Sequence, residues 1–209
     1  MSKQETRNRI LDAAVRLFNE HGTAAISTNH IAREAGVSPG NLYYHYRNKE
    51  EIIREILERM FSAWGGAWHR SDVPAVSLQG LRIVIRLNFQ LLWEYRFFYR
   101  EAVALMLRDP ILAERHAEMQ QQRLADQDSF YQQFVAAGIF RQPADTREIA
   151  DLVRTTWILG VNWLPFLESG GQRVTEERMH EGERIIMRIF RGYLTDAALN
   201  ELETDATRF

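Results

Sequence analysis

The side chains that could do chemistry are concentrated between positions 41 and 49. Asn41, Tyr43, Tyr44 and His45 carry hydrogen-bonding or flat aromatic groups, and the cation Lys49 follows them closely. On a helix they would suit a DNA major groove, because an amide can read a base edge, rings can contact sugar and thymine methyl groups, and an ammonium group can hold a phosphate. The pattern favours a nucleic-acid-binding helix.

The alternative interpretation is that the tyrosines are core residues of a small helical bundle. Tyr43, Tyr44 and Tyr46 are too close together on one helix for all three to point inward. We expect one or two of them to be buried, Tyr46 first, and the others to face outward.

Two short helices must position these side chains. Ser27 is a typical N-cap for a first helix over residues 28–34, and Ser38 followed by Pro39 marks the start of a second helix over residues 40–46. The small Ala32 lets two helices cross closely. Four residues later, Gly36 can adopt the left-handed backbone of a sharp corner. This spacing predicts a helix-turn-helix.

The run Ile31-Ala32-x-x-Ala35-Gly36-Val37-Ser38, followed by Leu42-Tyr43-x-His45-Tyr46-x-Asn48-Lys49-Glu50, carries a family resemblance. Residues 6–53 resemble the DNA-binding domain of the TetR (tetracycline-repressor-like) family of bacterial transcriptional regulators. The resemblance implies a homodimer with a three-helix DNA-binding head and an all-helical body that binds an effector and releases DNA.

Carried over position by position, the resemblance implies a set of DNA contacts. They are Thr28, Asn29, Ser38, Pro39, Gly40, Asn41, Tyr43, Tyr44, His45 and Lys49. Asn29 and His30 depart from the charged residues often found there. Gly40 offers no side chain, which leaves more of the base readout to Asn41.

Composition and charge limit the classes of protein. The 209 residues have a formal net charge of −2 and include no Cys, which excludes thiolate catalysis and Cys-ligated metals. Residues 1–50 nevertheless carry a net charge of +2 and the remainder −4. The N-terminus has no apolar stretch of a signal peptide, and the longest uncharged run, over 155–167, is too short to cross a membrane. We expect a cytoplasmic protein with no membrane partner.

Helical periodicity dominates, and Gly and Pro are scarce, which favours an all-α fold. We expect an N-terminal three-helix DNA-binding domain with the helix-turn-helix over residues 1–50, and a C-terminal helical bundle for ligand binding and dimerisation over 51–209. A fourth helix over 49–69 would connect them. Five more helices are predicted at Val76–Tyr95, Phe97–Arg108, Pro110–Ala137, Thr146–Glu168 and Thr175–Ala198.

The last two predicted helices favour a dimer. The segment 157–167 is apolar on nearly all sides, so a partner subunit is expected to cover one of its faces. Gly182 and Gly192 would permit close approach in a two-fold four-helix contact. A fully buried central helix in a monomer is the alternative. The predicted interface residues are Val161, Leu164, Ile185, Ile189, Phe190 and Tyr193.

Isolated polar and aromatic side chains in apolar rows predict an effector pocket. A buried polar group needs a partner, which a ligand can supply, although backbone or water more often does so. The abundance of aromatic residues favours a small apolar or aromatic effector. The predicted pocket residues are Trp64, Asn88, Trp93, His116 and Asn162.

These patterns together favour a DNA-binding transcriptional regulator. We expect a repressor that binds double-stranded DNA at a palindromic operator as a homodimer and is released by its effector. No catalytic residues, metal ligands or cofactor site are predicted, and the chain is not expected to be an enzyme. An architectural DNA-binding dimer without an effector, and a helical enzyme carrying a DNA-binding head, are the alternatives.

Overall fold

The computed structural model describes the backbone of residues 2–68 and 76–206 and the side chains of residues 2–65 and 76–202. Within these residues the fold is all-α, and the only extended pairing is one isolated backbone bridge. None of the described helices has the length and apolar character needed to cross a membrane. The helices are α1 (Lys3–His21), α2 (Thr28–Glu34), α3 (Pro39–His45), α4 (Lys49–Trp68), α5 (Leu78–Glu94), α6 (Arg96–Arg108), α7 (Pro110–Ala136), α8 (Glu148–Ser169), α9 (Glu176–Arg191) and α10 (Asp196–Ala206).

Local end signals explain the first three helices. α1 stops at Gly22, whose φ of 76° lies in the region that favours glycine. The hydroxyl of Ser27 accepts the His30 N–H at 3.3 Å, and that of Ser38 accepts the Asn41 N–H at 3.1 Å. Each serine satisfies a backbone donor that the first turn of a helix leaves unpaired. The predicted N-caps Ser27 and Ser38 are therefore confirmed, and α3 runs over Pro39–His45 instead of the predicted 40–46.

The packing divides the chain into two compact units. The first unit comprises Met1–Trp64 and Glu94–Ala117, and the second comprises Gly65–Trp93 and Glu118–Phe209. The helix-turn-helix thus shares its unit with α6 and the start of α7. The functional division near residue 50 stays a prediction. The connecting helix, predicted over 49–69, is α4, and residue 69 lies outside the described residues.

The first unit is held together by α6 against α1 and α4. The side chain of Asn19 donates to the Glu94 carbonyl at 2.7 Å and accepts the Phe97 N–H at 3.0 Å. Arg54 binds the carboxylate of Asp109 at 2.7 and 3.0 Å. These bonds join residues far apart in sequence, so the position of α1 depends on where α6 packs.

An aromatic cluster forms much of the core of the second unit. Phe140 lies 5.7 Å from Phe190 and 5.1 Å from Phe134 between ring centroids, and Tyr131 lies 5.3 Å from Phe190. Aromatic pairs at these separations contribute beyond the apolar area that they bury. The cluster joins α7 to α9 through the segment that follows α7.

The prediction of one final helix over Thr175–Ala198 is wrong. α9 ends at Arg191 and α10 begins at Asp196. Between them the chain pairs with the segment after α7: the Arg141 N–H donates to the Tyr193 carbonyl at 2.7 Å, and the Thr195 N–H donates to the Ile139 carbonyl at 3.0 Å. Backbone groups that pair with another segment cannot continue the i to i−4 hydrogen bonds of a helix.

Candidate nucleic-acid interface

Helix α3, the second helix of the predicted helix-turn-helix, has one buried side and one exposed side. Leu42 and Tyr46 are 1% and 2% exposed, so they anchor the helix in the core of the first unit. Tyr43 is 50% exposed and Tyr44 73% exposed, and Asn41 is exposed as well. The structure therefore confirms that Tyr46 is the core tyrosine and that the other two face outward.

The N-terminal end of α2 lies beside this exposed side. The hydroxyl groups of Thr28 and Tyr43 are 3.0 Å apart and share a hydrogen bond that ties α2 to α3. Asn29 is exposed. The ring of His30 turns back to accept the Ser27 N–H at 3.3 Å, so it caps α2. Ser38, Pro39 and Gly40 are exposed at the start of α3, and no atom outside the local backbone lies within 4 Å of where a Gly40 side chain would begin.

The turn between α2 and α3 is held by α1. Gly36 has a φ of 63°, and the Val37 N–H donates to the Ala32 carbonyl at 2.9 Å. The guanidinium group of Arg9 donates to the carbonyls of Ala35 and Gly36. These carbonyls end α2 and would otherwise lack helical partners. The corner therefore depends on a cation from α1 as well as on glycine.

Lys49, predicted as a phosphate contact, also binds backbone carbonyls of its own subunit. Its ammonium group donates to the carbonyl oxygens of Thr23 at 2.5 Å and of Ile26 at 2.8 Å. Both carbonyls belong to the loop between α1 and α2. An ammonium group has three donors, so a phosphate contact would use the one that remains.

His45 is the least exposed of the predicted polar contacts on α3. It is half-buried, its Nδ1 atom is buried without a hydrogen-bond partner among the described residues, and burial lowers its pKa, with smaller contributions from Arg7 and Lys3. His45 lines an open cavity of about 440 Å³ together with Tyr46, Arg54, Glu55 and other residues of α1 and α4. It lies nearer to the interior of the first unit than Tyr43 or Tyr44 does.

Sequence reasoning missed one cation beside the exposed tyrosines. The ammonium group of Lys3 lies 5.5 Å from the centre of the Tyr44 ring, within the range of a cation–π contact. Nothing in the local pattern places Lys3 there, because it lies 41 residues before Tyr44, at the start of α1. Arg7 lies 5.1 Å from the Tyr46 ring and pairs with Glu55.

The predicted pocket residues are divided between the two units. Trp64 and His116 belong to the first unit, and Asn88, Trp93 and Asn162 belong to the second. Burial lowers the pKa of His116, whose ring lies 5.7 Å from Phe98. The Oδ1 atom of Asn88 is buried without a hydrogen-bond partner among the described residues.

The placement of Asn162 corrects its prediction as a pocket residue. Its side chain is exposed on α8 and donates to the Ile158 carbonyl of the same helix at 2.9 Å. It therefore lies on the surface of the second unit, where one N–H of its amide bonds to its own helix.

The predicted dimer interface also needs correction. Leu164 is 1% exposed and Phe190 is fully buried, so both are core residues of their own subunit. Tyr193 lies beyond the end of α9, and the centre of its ring is 5.4 Å from Cζ of Arg141. Gly182 faces inward as well, because a Cβ atom there would lie 2.3 Å from Cε1 of Phe89. Val161 and Ile189 are half-buried, and Ile185 is 39% exposed.

Two large apolar residues that the prediction omitted are exposed on α8. Ile158 and Phe166 are each 60% exposed, and Asn162 lies between them at the helical spacing of four residues. No sequence signal could select them, because their helix is apolar on nearly all sides.

Family models match both parts of the chain. The model described as "Bacterial regulatory proteins, tetR family" matches residues 10–56, and the TetR model described as "Bacterial transcriptional repressor" matches residues 69–202. The second match alone spans more than half of the chain. The chain belongs to the TetR family. It is a DNA-binding transcriptional regulator, and members of this family bind DNA and small-molecule effectors and typically form dimers.

Known relatives match this chain over stretches of different length. The regulator AcrR of Shigella flexneri is 46% identical over 55 residues, which is 26% of each protein. The repressor KstR2 of Mycobacterium tuberculosis is 29% identical over 163 residues, 75% of this chain and 80% of that protein. A TetR-family regulator from Marinobacter aquaeolei VT8 has 30% identity and a TM-score of 0.81, covering 94% of this chain and 93% of that one. The solved structure of KstR2, described as a ketosteroid transcriptional regulator, has a TM-score of 0.61 at 20% identity, covering 94% of this chain and 97% of that one.

Proposed function

We propose that this TetR-family regulator is a repressor that binds a palindromic operator as a homodimer and leaves it when a small apolar or aromatic effector binds. The observation that carries the DNA interface is the two-sided recognition helix. Leu42 and Tyr46 fix α3 from the inside, while Asn41, Tyr43 and Tyr44 are exposed on the outside. A rigidly anchored helix with an amide and two rings outward fits base-edge and sugar contacts in a major groove.

The roles of the individual residues follow from their positions. Asn41 reads a base edge, and Tyr43 and Tyr44 contact the backbone and thymine methyl groups. Thr28, Asn29, Ser38, Pro39 and Gly40 approach the same groove from the exposed ends of α2 and α3. Lys49 holds a phosphate with its third donor, and the half-buried His45 contacts only the groove edge.

The exposed apolar side chains of the second unit support the dimer. Ile158 and Phe166 on α8 and Ile185 on α9 are exposed in the single subunit. A symmetric contact through them would remove these side chains from water, as in a permanent interface. We place the dimer contact on these three residues, with the half-buried Val161 and Ile189 at its border.

The proposed effector class is argued from composition and from one relative. The chain has 11 Phe, 7 Tyr and 5 Trp, so apolar and aromatic linings are abundant. KstR2, described as a ketosteroid transcriptional regulator, is a relative over 75% of this chain. Trp64 and His116 of the first unit stay predicted effector contacts, and so, separately, do Asn88 and Trp93 of the second unit.

Selection from a random DNA library with the full-length chain tests the DNA interface. We expect a palindrome whose half-sites are about 34–36 Å apart, one helical turn, or a multiple of that distance. Asn41→Ala should lose about 1–3 kcal/mol of discrimination between the selected duplex and a random duplex. Gln132→Ala, which removes an exposed amide from α7, is the matched control and should bind as the wild type does.

Two results would contradict this proposal. A wild-type chain that enriches no sequence is not an operator-binding regulator. Equal losses on selected and random duplexes for Asn41→Ala would remove Asn41 from base readout.

Release is tested with a panel of steroids and planar aromatic compounds against the complex with the selected duplex. A tenfold loss of operator affinity needs about 1.4 kcal/mol of coupling, and the duplex must then weaken effector binding by the same factor. A compound that binds the chain equally well with and without the duplex would instead favour an architectural DNA-binding dimer.

A further inference from the structure

One carboxylate of α6 holds the loop that precedes the helix-turn-helix. Oε1 of Glu101 accepts the backbone N–H of Thr23 at 2.9 Å, and Oε2 accepts the hydroxyl group of the same residue. Thr23 is 2% exposed, and the two residues are 78 positions apart in sequence. Hydrogen bonds to a carboxylate are stronger than those between neutral groups, so this double contact fixes the loop firmly.

The loop approaches the carboxylate unusually closely. Gly22 precedes Thr23, and a Cβ atom at Gly22 would lie 3.1 Å from Oε1 of Glu101. Gly22 also has a φ of 76°. A residue with no side chain thus ends α1 and at the same time lets the carboxylate reach the backbone of the loop.

The same loop holds Lys49 on its other side. The carbonyl of Thr23 accepts the Lys49 ammonium group at 2.5 Å, and the carbonyl of Ile26 accepts it at 2.8 Å. The Ile26 N–H also donates to the Thr23 carbonyl at 3.4 Å, which closes the turn. Thr23 therefore lies between a carboxylate of α6 and the cation Lys49, which begins α4 four residues after the end of α3.

We propose that Glu101 is a positioning residue for DNA binding: it fixes Thr23, and through the Thr23 carbonyl it sets where the Lys49 ammonium group meets a DNA phosphate. Glu101 does not itself touch DNA. Its effect on affinity must pass through Lys49, which gives the proposal a specific signature. The proposal rests on the proposed function, since it needs an operator complex in which Lys49 holds a phosphate.

The test is a double-mutant cycle on the duplex recovered by the selection described above. Glu101→Ala should weaken binding roughly tenfold and lower by about 1 the slope of log affinity against log salt concentration, as the loss of one phosphate contact does. Lys49→Ala should do the same. The double variant should be no weaker than Lys49→Ala alone, because both changes remove one contact.

Matched variants separate positioning from loss of folding. Glu114→Gln and Glu114→Ala remove an exposed carboxylate of the first unit, with the same change of charge, and should bind as the wild type does. Thr23→Ser keeps the hydroxyl donor and should retain affinity, whereas Thr23→Val removes it and should lose about threefold. Circular dichroism and light scattering establish that each variant is folded and dimeric.

Additive losses in the double variant, or an unchanged salt slope for Glu101→Ala, would overturn the proposal. So would wild-type affinity for Lys49→Ala. These outcomes differ from failure of the proposed function, which is seen as a wild-type chain that selects no duplex and an Asn41→Ala variant without effect.

Discussion

The helix-turn-helix and the α8–α9 pair are both two helices joined by a short connection, but their outward faces are determined differently. In α2 and α3, caps and a turn glycine fix the helix ends, and Leu42 and Tyr46 leave one side free. In α8, apolar residues occur on most sides, whereas α9 buries one regular stripe that includes Met179, Ile186 and Phe190. Only the neighbours in the second unit decide that Leu164 is buried while Phe166 is exposed. Local signals therefore determine which residues face outward in the short helices α2 and α3. Packing determines it in the long apolar helix α8.

The sharpest test of this difference is an arginine on the exposed face of α8. Phe166→Arg should prevent dimerisation and lower operator affinity about 100-fold or more, because each half-site alone is held too weakly and an unpaired charge would be buried. Light scattering and titration with the selected duplex measure both effects. Leu107→Arg is the matched control, since Leu107 is 81% exposed on α6. A dimeric Phe166→Arg variant would show that the contact lies elsewhere.

In the first unit, Arg54 binds Asp109 across 55 positions of sequence. The pH dependence of stability should reveal what this contact contributes. The guanidinium group of Arg54 lowers the pKa of Asp109, helped by the N–H groups of Leu112 and Ile111. Because the folded pKa is below the unfolded one, the unfolded state binds more protons in this range. The stabilisation is therefore present above about pH 4 and is lost as pH falls through the folded pKa.

Asp109→Asn should lower the free energy of unfolding by about 1.5–3 kcal/mol at pH 7. The difference from the wild type should shrink as urea titrations are repeated at lower pH. A difference that stays constant down to pH 2 would mean that the ionised carboxylate is not what stabilises the unit. Asp128→Asn, which makes the same substitution at a half-buried site of α7, is the control.

Gly182 tests how closely α9 packs against Phe89 of α5. An added methyl group would lie 2.3 Å from Cε1 and 2.7 Å from Cζ of Phe89, so Gly182→Ala should lower the free energy of unfolding by about 1–3 kcal/mol. Gly65→Ala, in α4, meets nothing within 4 Å and should stabilise by up to about 1 kcal/mol. Thermal unfolding of the two variants gives the comparison. Equal stabilisation by both would place Gly182 on an open face.

The smallest expected effect is at the joint between α2 and α3. Tyr43→Phe removes the hydroxyl group that lies 3.0 Å from Oγ1 of Thr28 and should lower stability by about 0.5–1.5 kcal/mol. Tyr44 is the next residue in the chain and is 73% exposed, so Tyr44→Phe should leave stability unchanged. Urea unfolding distinguishes the two. A larger loss for Tyr44→Phe would mean that α3 is oriented differently.

The amino-acid sequence by itself determined the head and the family. Ser27, Gly36, Ser38 and Pro39 act within one turn of backbone, so the N-caps of α2 and α3 and the turn between them could be predicted without any distant contact. The spacing of these residues also carried the resemblance to the TetR family.

Only the tertiary structure decided the contacts between distant segments. The carboxylate of Glu101 meets Thr23 across 78 positions, and the break between α9 and α10 exists because the chain there pairs with the segment after α7. Leu164 and Asn162 were assigned to the wrong environments for the same reason. Residues on an apolar helix carry no mark of which neighbour will cover them, since burial depends on elements that lie far away in the sequence.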